Sequence, residues 1–195
     1  MTIKLDGSWQ NTINTSGISF KCGYCGSNTA PVKGYFSANF NAQKFGHIYI
    51  CPNCNKPTFI YKQTGEQIPG IFIGDEIEHL PENIEQLYNE ARRCLSVNAS
   101  TSTVLSCRKL LMNISVTKGA EEGKSFAFYV SYLEDNHFIP PGSKEWVDHI
   151  RKKGNEATHE IPSIDKADAI ELLEFTEMLL RFVYEMPGKM IKHRS

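Results

Sequence analysis

Two short strings repeat one spacing: Cys22-Gly-Tyr-Cys25 and Cys51-Pro-Asn-Cys54. A C-x-x-C turn presents two thiolates from one tight bend, and Zn2+ in structural sites prefers a closed tetrahedron of such ligands. Two of these turns converge if the intervening residues 26–50 fold back as a hairpin or small sheet. The expected group is a structural Zn2+ held by Cys22, Cys25, Cys51 and Cys54, with a redox or disulfide pair as the competing reading. Four thiolates leave no coordination position for water or substrate, which argues against a catalytic ion. His47, four residues before Cys51, is then surplus as a ligand and reads as a surface or strand histidine. Cys94 and Cys107 stand inside apolar-periodic segments and read as small buried hydrophobes.

A second constellation is polar. Val147, Arg151, Asn155 and His159 are spaced by four, which places them along one slowly drifting helical face if the helix runs through Gly154. Val147 and Ile150 mark that face as inward. Arg108, four after Val104 and three before Leu111, shares the apolar side of its own helix. Buried polar groups need partners, so Arg108, Arg151, Asn155 and His159 suggest either a built site or a satisfied network that fixes helix register. Asn155 directly after Gly154 also fits helix-end turn chemistry. Lys152 and Lys153 read as a solvated face.

The elements that must position these residues obey two periodicities. Up to about Asp75, β-branched and aromatic runs alternate with turn residues: Ile18-Ser-Phe20, Tyr35-Phe36, His47-Ile-Tyr-Ile50, Thr58-Phe-Ile-Tyr61 and Ile71-Phe-Ile73. From Pro81 the spacing turns helical, with Ile84, Leu87, Tyr88, Ala91, Cys94 and Leu95 on one side. A second helix starts near Ser100–Thr103, carries Val104, Leu105, Leu111 and Ile114, and stops at Lys118-Gly119. Phe126–Leu133 reads as a third helix, with strand as the competing assignment. Ser143 caps a fourth, through Trp146, Val147 and Ile150. Asp165 caps a long last one, with Leu172, Leu173, Phe175, Thr176, Leu179, Leu180 and Val183 inward and its end before Pro187-Gly188. The fold class is α+β, with a β-rich metal module at 1–80, a helical bundle at 81–188 and a basic tail at 189–195.

Composition bounds the rest. The 195 residues are 41% hydrophobic, with 21 basic and 22 acidic side chains and a net charge of -1. That is too apolar and too weakly charged for a disordered chain, and it excludes a generally basic nucleic-acid coat. No recognisable basic helix favours DNA sequence reading. No apolar run approaches the about 20 residues of a membrane span, and the polar N-terminus does not resemble a signal peptide. The expectation is a soluble, cytoplasmic protein with no membrane partner.

The string from Trp146 to His159 closely resembles the R-x-x-G-N-x-x-x-H signature of the family catalogued as domain of unknown function 4145, which is similar to the HEPN superfamily of helical bundles. Tyr88-Asn-Glu-Ala91 and Arg108-Lys-Leu-Leu111 fit it as well, over about residues 80–187, and a zinc ribbon often precedes the bundle there. Met112 stands where the family usually carries glutamate. The resemblance implies an all-α, often dimeric domain found beside bacterial and mobile-element defence systems. Many HEPN proteins are metal-independent RNA endonucleases. It implies His159 as proton-transfer group, Arg151 as phosphate holder and Asn155 as orienting residue, with Arg108 in support and a homodimer completing the site. Seven residues separate Arg151 from His159, more than the usual catalytic spacing; Lys153 is closer but lacks the bidentate fork of arginine. A non-catalytic adaptor or regulator that binds a protein partner in a defence complex is the alternative, and whether the chain is an enzyme stays open.

Overall fold

The computed structural model describes residues 4–139, 152 and 164–192. The chain divides into two compact units, Met1–Phe72 and Ile73–Ser195. It is α+β, with strands in the first unit and helices in the second.

The described strands are β1 (Ile13–Asn14), β2 (Phe20–Lys21), β3 (Asn28–Thr29), β4 (Lys33–Ala38), β5 (Lys44–Ile50), β6 (Pro57–Tyr61) and β7 (Gln67–Ile68). β1-β4-β5-β6-β7 form one antiparallel sheet, and β2 and β3 form a separate hairpin. The β4–β5 turn is tied by the Asn39 side chain, whose oxygen accepts from the Asn41 and Gln43 amides; asparagine supports turns in this way. Rows of paired residues define the two sheet faces. Phe36, His47 and Ile60 share one row and face, as do Gly34, Tyr49 and Thr58. Tyr49, Ile60 and Thr58 are buried there. His47 is a strand residue as expected, but it lies buried against Tyr49, with ring centroids 5.4 Å apart.

The expected strand over Ile71–Ile73 does not form. Its backbone takes another partner: Arg92 Nε donates to the Ile73 carbonyl at 3.1 Å and Nη2 to the Gly74 carbonyl at 2.7 Å. The segment from Ile73 thereby belongs to the helical unit, and Ile77 joins its core.

That unit contains α1 (Glu82–Ser96), α2 (Ser100–Thr117), α3 (Phe126–Asp135), α4 (Lys166–Leu180), a π-helical turn (Arg181–Glu185) and α5 (Met186–Lys192). Ile84, Tyr88, Ala91 and Leu95 bury the α1 stripe, and Val104, Cys107, Leu111 and Ile114 that of α2. α2 is central and packs against α1, α3 and α4. Its Ser115 hydroxyl lies 2.8 Å from the Leu111 carbonyl and 3.2 Å from that of Tyr129 on α3. Phe126–Asp135 resolves to helix: the Ser125 side chain accepts from the Phe128 amide, and Phe126, Val130 and Leu133 share the buried side. Leu105, expected inward, is 43% exposed, because the α2 stripe runs through Val104 and Cys107 instead.

Asp165 caps α4 by accepting from the Asp168 amide at 2.8 Å, and all seven side chains expected inward, Leu172 to Val183, are buried. The helix does not end before Pro187-Gly188. A wide π turn, in which the Met186 amide donates to the Arg181 carbonyl, resets the register and carries the helix past Pro187, which falls in the first turn of α5. Gly188 is small for packing: a Cβ there would come 2.5 Å from Cγ of His79. Met190 to Lys192, expected in the basic tail beyond the bundle, are helical. Among the described residues no helix is long and apolar enough to cross a membrane.

Candidate metal centre

The two C-x-x-C turns fold as one motif used twice. Each follows a strand, β2 or β5, and leads into its antiparallel partner, β3 or β6. In the first, the Gly26 amide donates to the Cys22 carbonyl at 2.8 Å and the Cys22 amide to the Ser27 carbonyl at 2.9 Å. In the second, Asn55 donates to Cys51 at 2.8 Å and Cys51 to Lys56 at 3.0 Å. Gly26 and Asn55 occupy the same place in each turn with φ of 69° and 58°. These are left-handed values that glycine and asparagine adopt more readily than other residues.

The result brings all four expected ligands together. One sulfur atom from each of Cys22, Cys25, Cys51 and Cys54 lies within 4.8 Å of the others. Cys22 and Cys54 are 3.8 Å apart, as are Cys25 and Cys51. Metal–sulfur bonds of about 2.3 Å in a tetrahedron set neighbouring sulfurs about 3.8 Å apart, whereas a disulfide needs about 2.05 Å. The four-sulfur set therefore fits a divalent ion, and each cysteine is free of a disulfide. The Tyr24 amide points to Cys22 Sγ at 3.4 Å, a hydrogen bond that favours a thiolate there. Burial pushes the thiols of Cys22 and Cys54 up, the latter to about 12. Burial acts on Cys25 too, but the side chain and backbone of Ser27 and the neighbouring thiols outweigh it and hold that group at about 7. Four thiolates at such a place call for a cation. His47 lies outside the set.

Residues without metal-ligand chemistry brace this centre. The Asn53 side chain donates to the Ser27 hydroxyl, linking the two turns. Asn55 Nδ2 donates to the Leu5 and Gly7 carbonyls at 2.9 Å, Leu5 donates to the Cys54 carbonyl, and Trp9 Nε1 donates to the Asn55 carbonyl. An N-terminal strap thus closes over the second turn. Asn55 of that turn and Trp9 of the strap carry no spacing signal, so sequence reading passed over them.

Of the polar constellation, Arg151, Asn155 and His159 lie outside the described residues, as does the start of the helix expected at Ser143. Lys152 is helical and exposed. Arg108 is half-buried on α2, its guanidinium carbon 4.1 Å from the centroid of the Phe126 ring. Burial pulls its pKa below the ordinary value. Cys107 is wholly buried and its thiol pushed up to about 12, the packing role expected of it; Cys94 is half-buried and raised by burial and by Glu90.

Sequence reading also missed a polar network in the helical unit. Glu177 on α4 accepts from the Tyr88 hydroxyl, the Asp75 amide and the Arg181 guanidinium at 2.8–3.1 Å. Arg181 continues to Asp75 and Glu185, and Glu185 accepts from Lys189 at 2.9 Å. An open groove of about 570 Å³ lies beside this network, lined by Gly74, Asp75, Glu174, Glu177, Arg181 and Phe182 among others. The signal was present as the i, i+4 ladder Glu177, Arg181, Glu185, Lys189, but its link to Tyr88 is long-range.

Comparison with known families places the helical unit. Residues 89–194 match the family described as Domain of unknown function (DUF4145). The match spans more than half of the chain, and the chain belongs to that family. No curated protein and no solved structure matches it.

Proposed function

We propose that this chain is a HEPN-like, nucleic-acid-associated protein of a bacterial or phage defence or toxin-type system, and that its β unit is a zinc ribbon. The observation that supports the reading is the union in one chain of a four-thiol cluster with a helical unit of the DUF4145 family. The donor set favours zinc. Soft thiolates in a tetrahedron select zinc over magnesium or calcium, which take oxygen ligands. When bound, the ion staples a β unit that has little core of its own, and it supplies no catalytic position.

The division of labour follows from residue chemistry. His159 is the group suited to move a proton at an RNA 2′-hydroxyl or leaving oxygen near neutral pH. Arg151 offers a planar fork for the phosphate, and Asn155 an amide that orients either group. Attack of the 2′-oxygen on phosphorus would break the bond to the 5′-oxygen, the 2′-proton passing to a base and the leaving oxygen gaining one. A second copy of the chain completes such a site in a homodimer. Purified zinc-loaded protein incubated with structured RNA and EDTA tests this: cleavage that survives chelation and disappears in His159→Ala supports it, and intact RNA throughout overturns the endonuclease.

One observation favours a non-catalytic adaptor instead. Arg108 lies over the Phe126 ring, a packing role for the arginine that the catalytic reading assigns to support. On that reading, variants of Arg108 or His159 lose stability, and those that still fold keep their protein partner.

A further inference from the structure

The near-zero net charge conceals an asymmetry. Residues 1–72 contain six lysines and no arginine against two carboxylates, Asp6 and Glu66, a formal balance of +4 that leaves -5 on residues 73–195. Four thiolates around a divalent ion lower the first figure to +2, still opposite in sign to the helical unit. Such a split between halves points toward a polyanionic partner for the β unit.

Two of the six lysines, Lys44 and Lys62, stand with exposed rings at one end of the sheet, where β4 turns into β5 and β6 ends. Phe36 pairs with His47, and Ala38, two residues on, pairs with Lys44, so Lys44 shares the Phe36 face. Its ammonium stands 4.3 Å from the Phe36 centroid. The register shifts between Ser37 and Ala38, a bulge of the kind that re-aims side chains at functional edges. The Lys62 amide pairs with the Phe45 carbonyl at 2.9 Å. His47 on this face is held below its ordinary pKa by burial first, with the charges of Lys44 and Lys62 adding to it. Phe36 is 43% and Phe45 39% exposed, and Phe40 at the turn between β4 and β5 is fully exposed. Glu66 lies on the adjoining β6–β7 turn and is the carboxylate nearest in sequence to this cluster.

Exposed aromatic rings interleaved with lysines suit a ligand that carries flat apolar groups and negative charges together. Nucleic-acid bases stack on aromatic rings while phosphates follow the ammonium groups, and only a single strand offers its bases unpaired. A protein surface would bury the rings without calling for lysines between them. The contact of Lys44 with Phe36 is an exposed cation–π pair of the weak kind, so a phosphate can draw the ammonium aside and free the ring face.

We infer that the β4–β5 hairpin end of the sheet is a docking face for single-stranded nucleic acid, with bases on Phe36 and Phe45 and phosphates at Lys44 and Lys62. The inference rests on the nucleic-acid reading above but uses other residues. Binding of the full, zinc-loaded chain to a labelled oligothymidylate of about 20 nucleotides tests it by fluorescence anisotropy. DNA lacks the 2′-hydroxyl, so cleavage cannot confuse the readout. A single strand should bind more tightly than a duplex of equal length, and Phe36→Ala and Phe45→Ala should each weaken it about tenfold. Lys44→Gln with Lys62→Gln should make the slope of log K against log salt shallower by about 1.4, or about 0.7 for each phosphate contact. The lysine variants remove no buried side chain, and unchanged zinc content confirms their fold. Absence of binding, equal affinity for duplex, or variants that bind like the parent overturns the inference; a face that captures only a protein does so as well. Face-dependent binding with no RNA cleavage leaves it standing and removes only the endonuclease.

Discussion

The Glu177 carboxylate reaches the Tyr88 hydroxyl at 3.1 Å, joining α4 to α1 across 89 positions of sequence. The same oxygen accepts from the Asp75 amide, and the other holds Arg181. Tyr88 is almost wholly buried, and burial followed by the Glu177 charge pushes its hydroxyl pKa up, so the phenol keeps its proton to donate. Glu177→Ala should leave the Asp75 amide without its acceptor, while the Tyr88 hydroxyl keeps the Asp75 carbonyl at 3.2 Å and Arg181 keeps Asp75 and Glu185, and should destabilise the helical unit by about 1–2 kcal/mol, read from urea unfolding. An unchanged midpoint would mean that water replaces the carboxylate without loss.

Gly74 lies under that contact. Its φ is 79°, and a Cβ there would meet the Tyr88 hydroxyl at 2.6 Å and Glu177 Oε2 at 2.7 Å. Gly74→Ala should therefore cost about 1–2 kcal/mol in backbone conformation and more by forcing the pair apart. In a double-mutant cycle with Glu177→Ala the costs should fall short of additivity, since the second substitution vacates part of the space the first one needs.

Glu185 carries the acid dependence of this unit. The Lys189 hydrogen bond, against the effect of burial and with help from the Glu78 amide and Arg181, holds its carboxyl below the ordinary range. Its stabilising effect is thus fully present above the unfolded-state value of about 4.3 and is lost as pH falls through the lower folded value, where the unfolded chain binds more protons. Glu185→Gln should be less stable than the parent at neutral pH and should lose less stability between about pH 5 and pH 3. Parallel stability curves for parent and variant would show that the charge of Glu185 is immaterial.

What the sequence disclosed depended on range. The four ligands were legible because two repeats of a four-residue spacing carry the chemistry locally, and the α4 stripe because Leu172 to Val183 keep one period. Ile71–Ile73 misled because a β-branched run says nothing of what its carbonyls will meet, and here Arg92 takes that of Ile73 from another element. Pro187 misled because a register change at Arg181–Glu185 turns a helix breaker into a first-turn residue. The Tyr88–Glu177 contact had no local signature at all. The lysine excess of the β unit was countable from the start, but averaging over the whole chain hid it behind a net charge of -1.

Thiol reactivity separates the metal centre from the cysteines that merely pack. In the zinc-loaded chain Cys22, Cys25, Cys51 and Cys54 should resist an aromatic disulfide reagent, because a thiolate shared with the ion is a poor nucleophile and three of the four are buried. A strong chelator should release one ion per chain and expose all four together. Amide exchange should then quicken across β4, β5 and β6, while α1 and α2, whose core contains no ligand, keep their protection. Cys54→Ala should give the same pattern without chelator, since a tetrahedron lacking one thiolate binds far more weakly. Cys107, wholly buried with its thiol pushed up to about 12, should react only when the helical unit unfolds. Half-buried Cys94, in the same unit, should react before it, so the four ligand thiols report on the β unit and Cys107 on the helical one. Release of the ion with no change in exchange over β4 to β6 would show that the sheet stands without its staple and that the four sulfurs serve some purpose other than stability.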